Sequence, residues 1–384
     1  MQVRESVSES VVRSRLVDMF RVVVVVLMVS VHVPYTLKLP ELATLYGGVS
    51  WHSLSLTLAE LGFLLRENLM LFLKSGLGRG AVAALTLVSA WFVMEGLERR
   101  NAVDVARNRL VSMGLPYVFW AVAYLMIAGG IAGANVNYRW LEKIFGIGIW
   151  PYNYPLHFVF DICFATVVFL ALHTLGLRNR WMVALAGVAL CLVTLLWGEN
   201  ANRFGDNGMS LMPRSSIVLL FFLGVATHGV WKRLFEPSVL RAISSNGVLA
   251  GLVLATLLSA HFLEYYNIAV PKDPTARGVL LFALTIPARL ICGFLVFAAL
   301  ARVAVSSEAP AQVSRKLGFR IFCSHLIAVT VLLHFIPDGF ETGYPLALFV
   351  LVYAGCVGFG VAVHYAIEAV SRLRFSPATL LARI

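Results

Sequence analysis

Apolar runs of about span length recur along the chain, parted by short stretches rich in charge, proline or glycine. A membrane-crossing helix needs about 20 mostly apolar residues. On that measure the pattern predicts ten helices, at about 16–36, 77–95, 110–132, 154–174, 181–198, 213–231, 243–263, 276–302, 317–336 and 345–370. Helix breakers fall between them, at Pro151 and Pro155, Pro213, Pro271 and Pro274, and Pro337. The first loop, 37–76, is the longest. Within it Leu54–Phe72 is apolar but interrupted by Glu60, Arg66, Glu67 and Asn68. It reads as a helix lying on or dipping into the outer membrane face; an eleventh span would reverse the sidedness of every later loop.

Composition agrees with a polytopic all-α membrane protein. Of 384 residues 59% are hydrophobic and 13% charged, about half the charged share of a soluble domain. The whole chain, 1–384, reads as a single membrane domain, with short cytoplasmic tails at about 1–15 and 371–384 and no appended soluble domain. The five cysteines lie singly in apolar stretches and read as small buried hydrophobes, so neither a metal site nor a disulfide framework is expected. The N-terminus lacks the cleavage pattern of a removable signal peptide.

The net charge of +11 does not point to nucleic acid in a chain this apolar. Lys and Arg accumulate on the cytoplasmic side of membrane proteins. With ten spans and the N-terminus inside, twenty of the 31 Lys and Arg fall on cytoplasmic segments, ten on external ones, and Arg289 within a span. Both termini are therefore expected in the cytoplasm.

The first apolar run, RLVDMFRVVVVVLMVSVHVPY over Arg15–Tyr35, carries the chemistry most out of place in lipid: Asp18 and Arg21 at one end and His32 at the other. Eleven helical steps, about three turns, put Arg21 and His32 on one face roughly 16 Å apart. Ionisable groups inside a membrane are costly and mark functional sites. Imidazole suits proton removal from a hydroxyl near neutral pH, and guanidinium suits phosphate. The pair thus fits group transfer from a phosphorylated donor inside to a hydroxyl acceptor outside. It equally fits an inside anchor paired with Asp18 and an interfacial histidine.

A basic residue ten residues before a histidine, opened by RLVDMFR, resembles acyltransferase family 3, bacterial membrane enzymes that O-acylate surface and exported polysaccharides. Other stretches are similar in order and spacing: ALTLVSAWFV (Ala84–Val93), RNRLVSMGLPYVFW (Arg107–Trp120), YPLHFVFD (Tyr154–Asp161), FFLG (Phe221–Gly224), FCSHL (Phe322–Leu326) and the basic-aromatic tail Ser371–Ile384. Two further stretches, His-Val-Pro after the first span and Gly-Leu-Gly-Arg-Gly ahead of the next, most resemble members that act on exopolysaccharide with acetyl or succinyl groups. The resemblance implies a bacterial inner-membrane protein that uses acyl-CoA as donor substrate, with no permanently bound cofactor. It implies His32 and Arg21 as catalytic residues and Arg107 and Arg109 as donor ligands. Asp18, Ser89, Asp161, Arg289 and His325 are further candidates for an active cavity, with Asp161 a counter-ion for Arg289. The chain departs from the family at three places: Ser89-Ala90 stands for Ser-Gly, His157 for Trp, and Met113 where a second arginine belongs. Partners expected are the bilayer, acyl-CoA and a polysaccharide or lipid-linked acceptor, in an oligomeric state the sequence leaves open. A secondary transporter or flippase built on Arg21, His32, Asp161 and Arg289 is the reading from another class, although the inverted repeats common in transporters are not evident.

Overall fold

The computed structural model describes residues 9–35, 58–131, 156–203, 214–269, 276–306, 316–337 and 339–372. Regular structure among them is helical. The chain begins with α1 (Glu9–His32), then α2 (Leu58–Leu71), which runs through a π-helical segment, Phe72–Gly78, into α3 (Arg79–Leu97). After α4 (Ala102–Arg109), a second π segment, Leu110–Gly114, leads into α5 (Leu115–Ile131). There follow α6 (His157–Thr174), α7 (Arg180–Arg203), α8 (Ser215–Ala226), α9 (His228–Leu234), α10 (Pro237–Ile243) and α11 (Asn246–Ala269). The last elements are α12 (Ala276–Ser306), α13 (Leu317–Phe335), α14 (Phe340–Gly343) and α15 (Pro345–Arg372).

Seven described helices are long and apolar enough to cross a membrane, or eight if the pair α8 and α9, bent by 70°, is one span. Each overlaps a predicted span. Two further helices occupy predicted positions without meeting that measure: α1, which carries Arg15, Asp18 and Arg21, and the shorter apolar stretch Arg180–Leu196 in α7.

The loop between the first two spans departs from expectation. In the described part of Leu54–Phe72, from Leu58 on, no separate surface helix stands apart: Glu60–Leu97 is one apolar helix of 38 residues. At 1.5 Å per residue that is about 57 Å, well beyond a hydrocarbon core of about 30 Å. The polar interruptions do not break it because they find partners: the Tyr35 hydroxyl donates to Glu67 Oε1 at 2.8 Å, and Asn68 Oδ1 lies 3.0 Å from His261 Nε2. The stripe Leu61, Leu65 and Leu69 stays exposed on the opposite face.

Helix α1 sits at the centre. Its buried residues Val12, Leu16, Phe20, Val24 and Met28 recur every four positions, and Val25, Val29 and Val33 widen the stripe. It packs against α3, the first π segment, α12, α13 and α15. Glycines bring the backbones together, as is usual where helices associate in lipid. A Cβ on Gly318 of α13 would meet the Arg21 carbonyl oxygen at 2.7 Å, and one on Gly80 of α3 would meet Cys292 of α12 at 2.5 Å.

Polar pairs mark the two ends of the bundle. Where α1 begins, Arg13 meets Glu95 (3.3 Å), Lys232 meets Glu98 (2.6 Å) and Arg320 meets Glu368 (2.8 Å). Where it ends, Arg79 meets Glu264 (2.8 Å) and Arg214 meets Asp161 (2.7 Å). This alternation is the one that antiparallel consecutive spans produce. The N- and C-terminal tails and loops 36–57, 132–155, 204–213, 270–275 and 307–315 lie outside the described residues, with part of the charge asymmetry noted above.

Candidate functional site

The polar residues along α1 fall into two groups. At its far end the rings of His32 and His325 approach to 5.2 Å between centroids, with planes at 42°. They meet because α1 and α13 run the same way from the Arg21–Gly318 contact, and each reaches its histidine about two to three turns later. His325 is fully buried, and its Nδ1 lies 2.5 Å from the Phe322 carbonyl oxygen. A carbonyl can only accept, so Nδ1 carries the ring proton and Nε2 keeps its lone pair. That Nε2 is buried without a hydrogen-bond partner among the described residues.

Two cations border this pair. The π segment turns Lys74 against the end of α1, where its Nζ donates to the carbonyls of Val33 (2.9 Å) and Tyr35 (3.2 Å). Widened turns of this kind recur at functional sites. Arg214 opens α8 and is held twice by Asp161, through Nε at 2.7 Å and the backbone N–H at 3.1 Å. His157, one turn before Asp161 on α6, places its Nδ1 3.0 Å from the same carboxylate. Both Lys74 and Arg214 lie within electrostatic range of His32.

This corrects one expectation. Asp161 is the counter-ion of Arg214, not of Arg289, whose Nη1 donates to Ser216 Oγ at 2.9 Å. Arg214 and Lys74 read as external loop charges in the sequence, Lys74 within the segment 37–76 and Arg214 directly after Pro213. The i,i+4 spacing of His157 and Asp161 was the one legible signal for this group.

The other group lies three turns back along α1. The Arg21 guanidinium stacks over Phe92 at 4.2 Å and meets Asp18 at 3.6 Å. Arg109, reaching in from α4, donates through Nη2 to the Ser89 carbonyl at 3.1 Å and lies within electrostatic range of Arg21 and Cys163. Asp18, Arg21, Ser89 and Arg109 are therefore neighbours, whereas Asp161 and His325, proposed for the same cavity as Asp18 and Ser89, lie with the other group. Ser89 enters through its carbonyl, which accepts from Arg109. Arg107 stands apart: it is exposed on α4 and makes no described ion pair.

Three groups could share a cation. Glu95, Glu98 and His228 place ligand atoms within 4.8 Å of one another. Arg13, Arg99 and Lys232 already neutralise those carboxylates, and the Lys232 hydrogen bond holds the exposed Glu98 carboxyl below its ordinary range. An ion-pair cluster accounts for this group without a metal. All five cysteines are free, and each but the half-buried Cys163 is buried.

Chemically, the arrangement offers fixed positive charge at one level of α1 and a pair of imidazoles at another, linked by one helix face. A stretch 22% identical over 229 residues relates the chain to the succinoglycan biosynthesis protein ExoH of Rhizobium meliloti (strain 1021), covering 56% of this chain and 54% of that protein. The chain thus spans about half the length of the curated relative it matches. No solved structure matches. The acyltransferase domain profile matches residues 15–369, so both polar groups lie inside it, and the chain belongs to acyltransferase family 3.

Proposed function

We propose that the chain is a bacterial inner-membrane O-acyltransferase. It moves an acetyl or succinyl group from cytoplasmic acyl-CoA to a sugar hydroxyl of an exported or lipid-linked polysaccharide. The observation that carries this reading is the single face of α1 that joins Arg21, beside Arg109, to His32, beside His325. The name of the relative, a succinoglycan biosynthesis protein, supports a polysaccharide acceptor.

On this reading Arg21 and Arg109 hold the anionic donor at the cytoplasmic level, and the thioester reaches along α1 towards the histidines. The acceptor oxygen attacks the thioester carbonyl carbon while its proton passes to the His32 imidazole. The C–S bond then breaks, the ester forms, and the proton moves on to the departing thiolate. A general base of this kind contributes about 10²- to 10⁴-fold. His325, with its Nε2 lone pair free of the Phe322 bond, is the other imidazole able to take or relay that proton. Lys74 and Arg214 supply positive charge where the carbonyl oxygen becomes an oxyanion. Asp161 and His157 position Arg214 and do not themselves meet substrate.

The test is His32→Ala with membrane expression verified, read as acyl content of the polysaccharide. Acylation should fall to background; unchanged acylation would sink the assignment. Purified protein should consume acyl-CoA only when glycan is added, whereas glycan movement without acyl-CoA consumption would favour a transporter.

A further inference from the structure

A cavity of about 440 Å³, within the usual range for a small-molecule site, opens at the end of the bundle where α1 begins. It lies below the bend between α8 and α9, bordered by the α6–α7 connection. Arg178 and Arg180 from that connection and Arg233 from α9 converge on it, with His173 and His228 on its wall and Phe169 among its apolar lining residues.

The three guanidinium groups are the unusual feature. Among the described residues none of them is paired with a carboxylate; Arg180 lies only over the ring of Trp181, at 5.3 Å. The nearby acids are engaged elsewhere, Glu95 by Arg13 and Arg99, and Glu98 by Lys232. His228 Nε2, 3.5 Å from Glu95, makes no hydrogen bond in the described structure. Cytoplasmic arginines set topology from anywhere in a short loop, and topology alone gives no reason for three of them, from two separate segments, to ring one cavity. Converging like charges repel, and an anion with several oxygens removes that repulsion while using the planar donors of arginine. An apolar wall beside those cations suits an aromatic base attached to the anion.

We propose that this cavity is a phosphate-binding site, taking the phosphates of an adenine nucleotide such as the phosphorylated end of coenzyme A. The proposal rests on the acyl-CoA reading above and moves the anchor of the donor's phosphates from Arg21 and Arg109 to this cavity, leaving those two beside its arm. His173 on the cavity wall is twelve residues from Asp161 on α6, about 18 Å along the helix, so the bound donor would extend its acyl arm past Arg109 and Arg21. The headgroup of an anionic phospholipid carries the same phosphate chemistry, and the experiment separates the two sources.

Purified full-length protein in neutral detergent is titrated calorimetrically with coenzyme A, and retained phosphatidylglycerol is counted by native mass spectrometry. The double variant Arg178→Gln/Arg233→Gln should bind coenzyme A at least tenfold more weakly with phosphatidylglycerol retention unchanged. Arg178→Lys/Arg233→Lys should recover part of the affinity. Arg241→Gln, an exposed arginine outside the cavity, should stay within twofold of the unsubstituted protein. Loss of one bound phosphatidylglycerol, with coenzyme A affinity unaffected, would keep the phosphate site and assign it to lipid. If the double variant changes neither ligand while the unsubstituted protein binds coenzyme A, the site is overturned and the donor reading stands. If the unsubstituted protein binds no coenzyme A, the donor reading and the nucleotide assignment fall together. The substituted arginines are exposed, so all forms should unfold at similar temperatures, and a variant that does not is replaced by the lysine pair.

Discussion

His325 shows how a residue acquires a role from its surroundings. In a membrane helix a histidine commonly ends as a satisfied polar contact. Here its Nδ1 is committed to the Phe322 carbonyl, and its Nε2 is buried without a partner in the described structure, beside the His32 ring. Leaving a buried polar atom unbonded costs about 1–3 kcal/mol, a cost that a site tolerates when a substrate or another imidazole completes the bond. His325→Phe keeps a flat aromatic ring, slightly larger than imidazole, and removes both nitrogens. It should leave the protein folded, because the Phe322 carbonyl already serves the helix, and lower acyl transfer about 10²-fold. The measurement is acyl-CoA consumption with added glycan; activity within threefold of the unsubstituted protein would reduce His325 to packing. Asp161 shows the opposite case. With Arg214 on both its oxygens and His157 beside it, a fully buried carboxylate is a positioning device, since its lone pairs are taken.

At the scale of elements, the site depends on how closely helices approach. Gly318 lets α13 lie on the backbone of α1 at Arg21, and that contact sets the level at which His325 meets His32. Gly318→Ala would put a Cβ 2.7 Å from the Arg21 carbonyl oxygen, so the helices must part. Overpacking of this kind costs about 1–3 kcal/mol. The substitution should lower the unfolding temperature in detergent and reduce activity more than expression. A variant with unchanged melting and turnover would show that the contact is slack. The π segment works by the same logic: it turns Lys74 towards the Val33 and Tyr35 carbonyls just beyond the end of α1.

For the whole molecule, polar pairs sort to two ends, and the apolar helices between them place Arg21 and His32 at different depths. Arg99 follows α3 at the end where α1 begins, and Leu61 lies near the other end of the same 38-residue helix. Cysteines introduced singly at 61 and 99 in a Cys163→Ser background should react with an impermeant maleimide from opposite sides of intact cells. Position 99 should label only after the membrane is opened. Labelling of both from outside would overturn the expected cytoplasmic placement of the α1 start and reverse the sidedness of the proposed donor.

The apolar periods along the chain were enough to place helices, because in lipid every backbone polar group must be satisfied within its own segment. That α1, α3, α5–α8, α11–α13 and α15 overlap the predicted positions, seven or eight of the described helices being long and apolar enough to span, follows from that local rule. The Arg21–His32 spacing was legible for the same reason: both lie on one helix, where distance is residue count times rise. Helix continuity over 58–97 was not, since there Glu67 meets Tyr35, just beyond α1, and Asn68 meets His261 on α11, partners far away in sequence. Nor were the pairing of Asp161 with Arg214, the meeting of His32 with His325, or the ring of arginines around the cavity. Those are contacts between segments far apart in sequence, set by helix packing and by glycines that allow it. The chain alone determined which groups are costly to bury; only the tertiary structure decided which of them are brought together to share that cost.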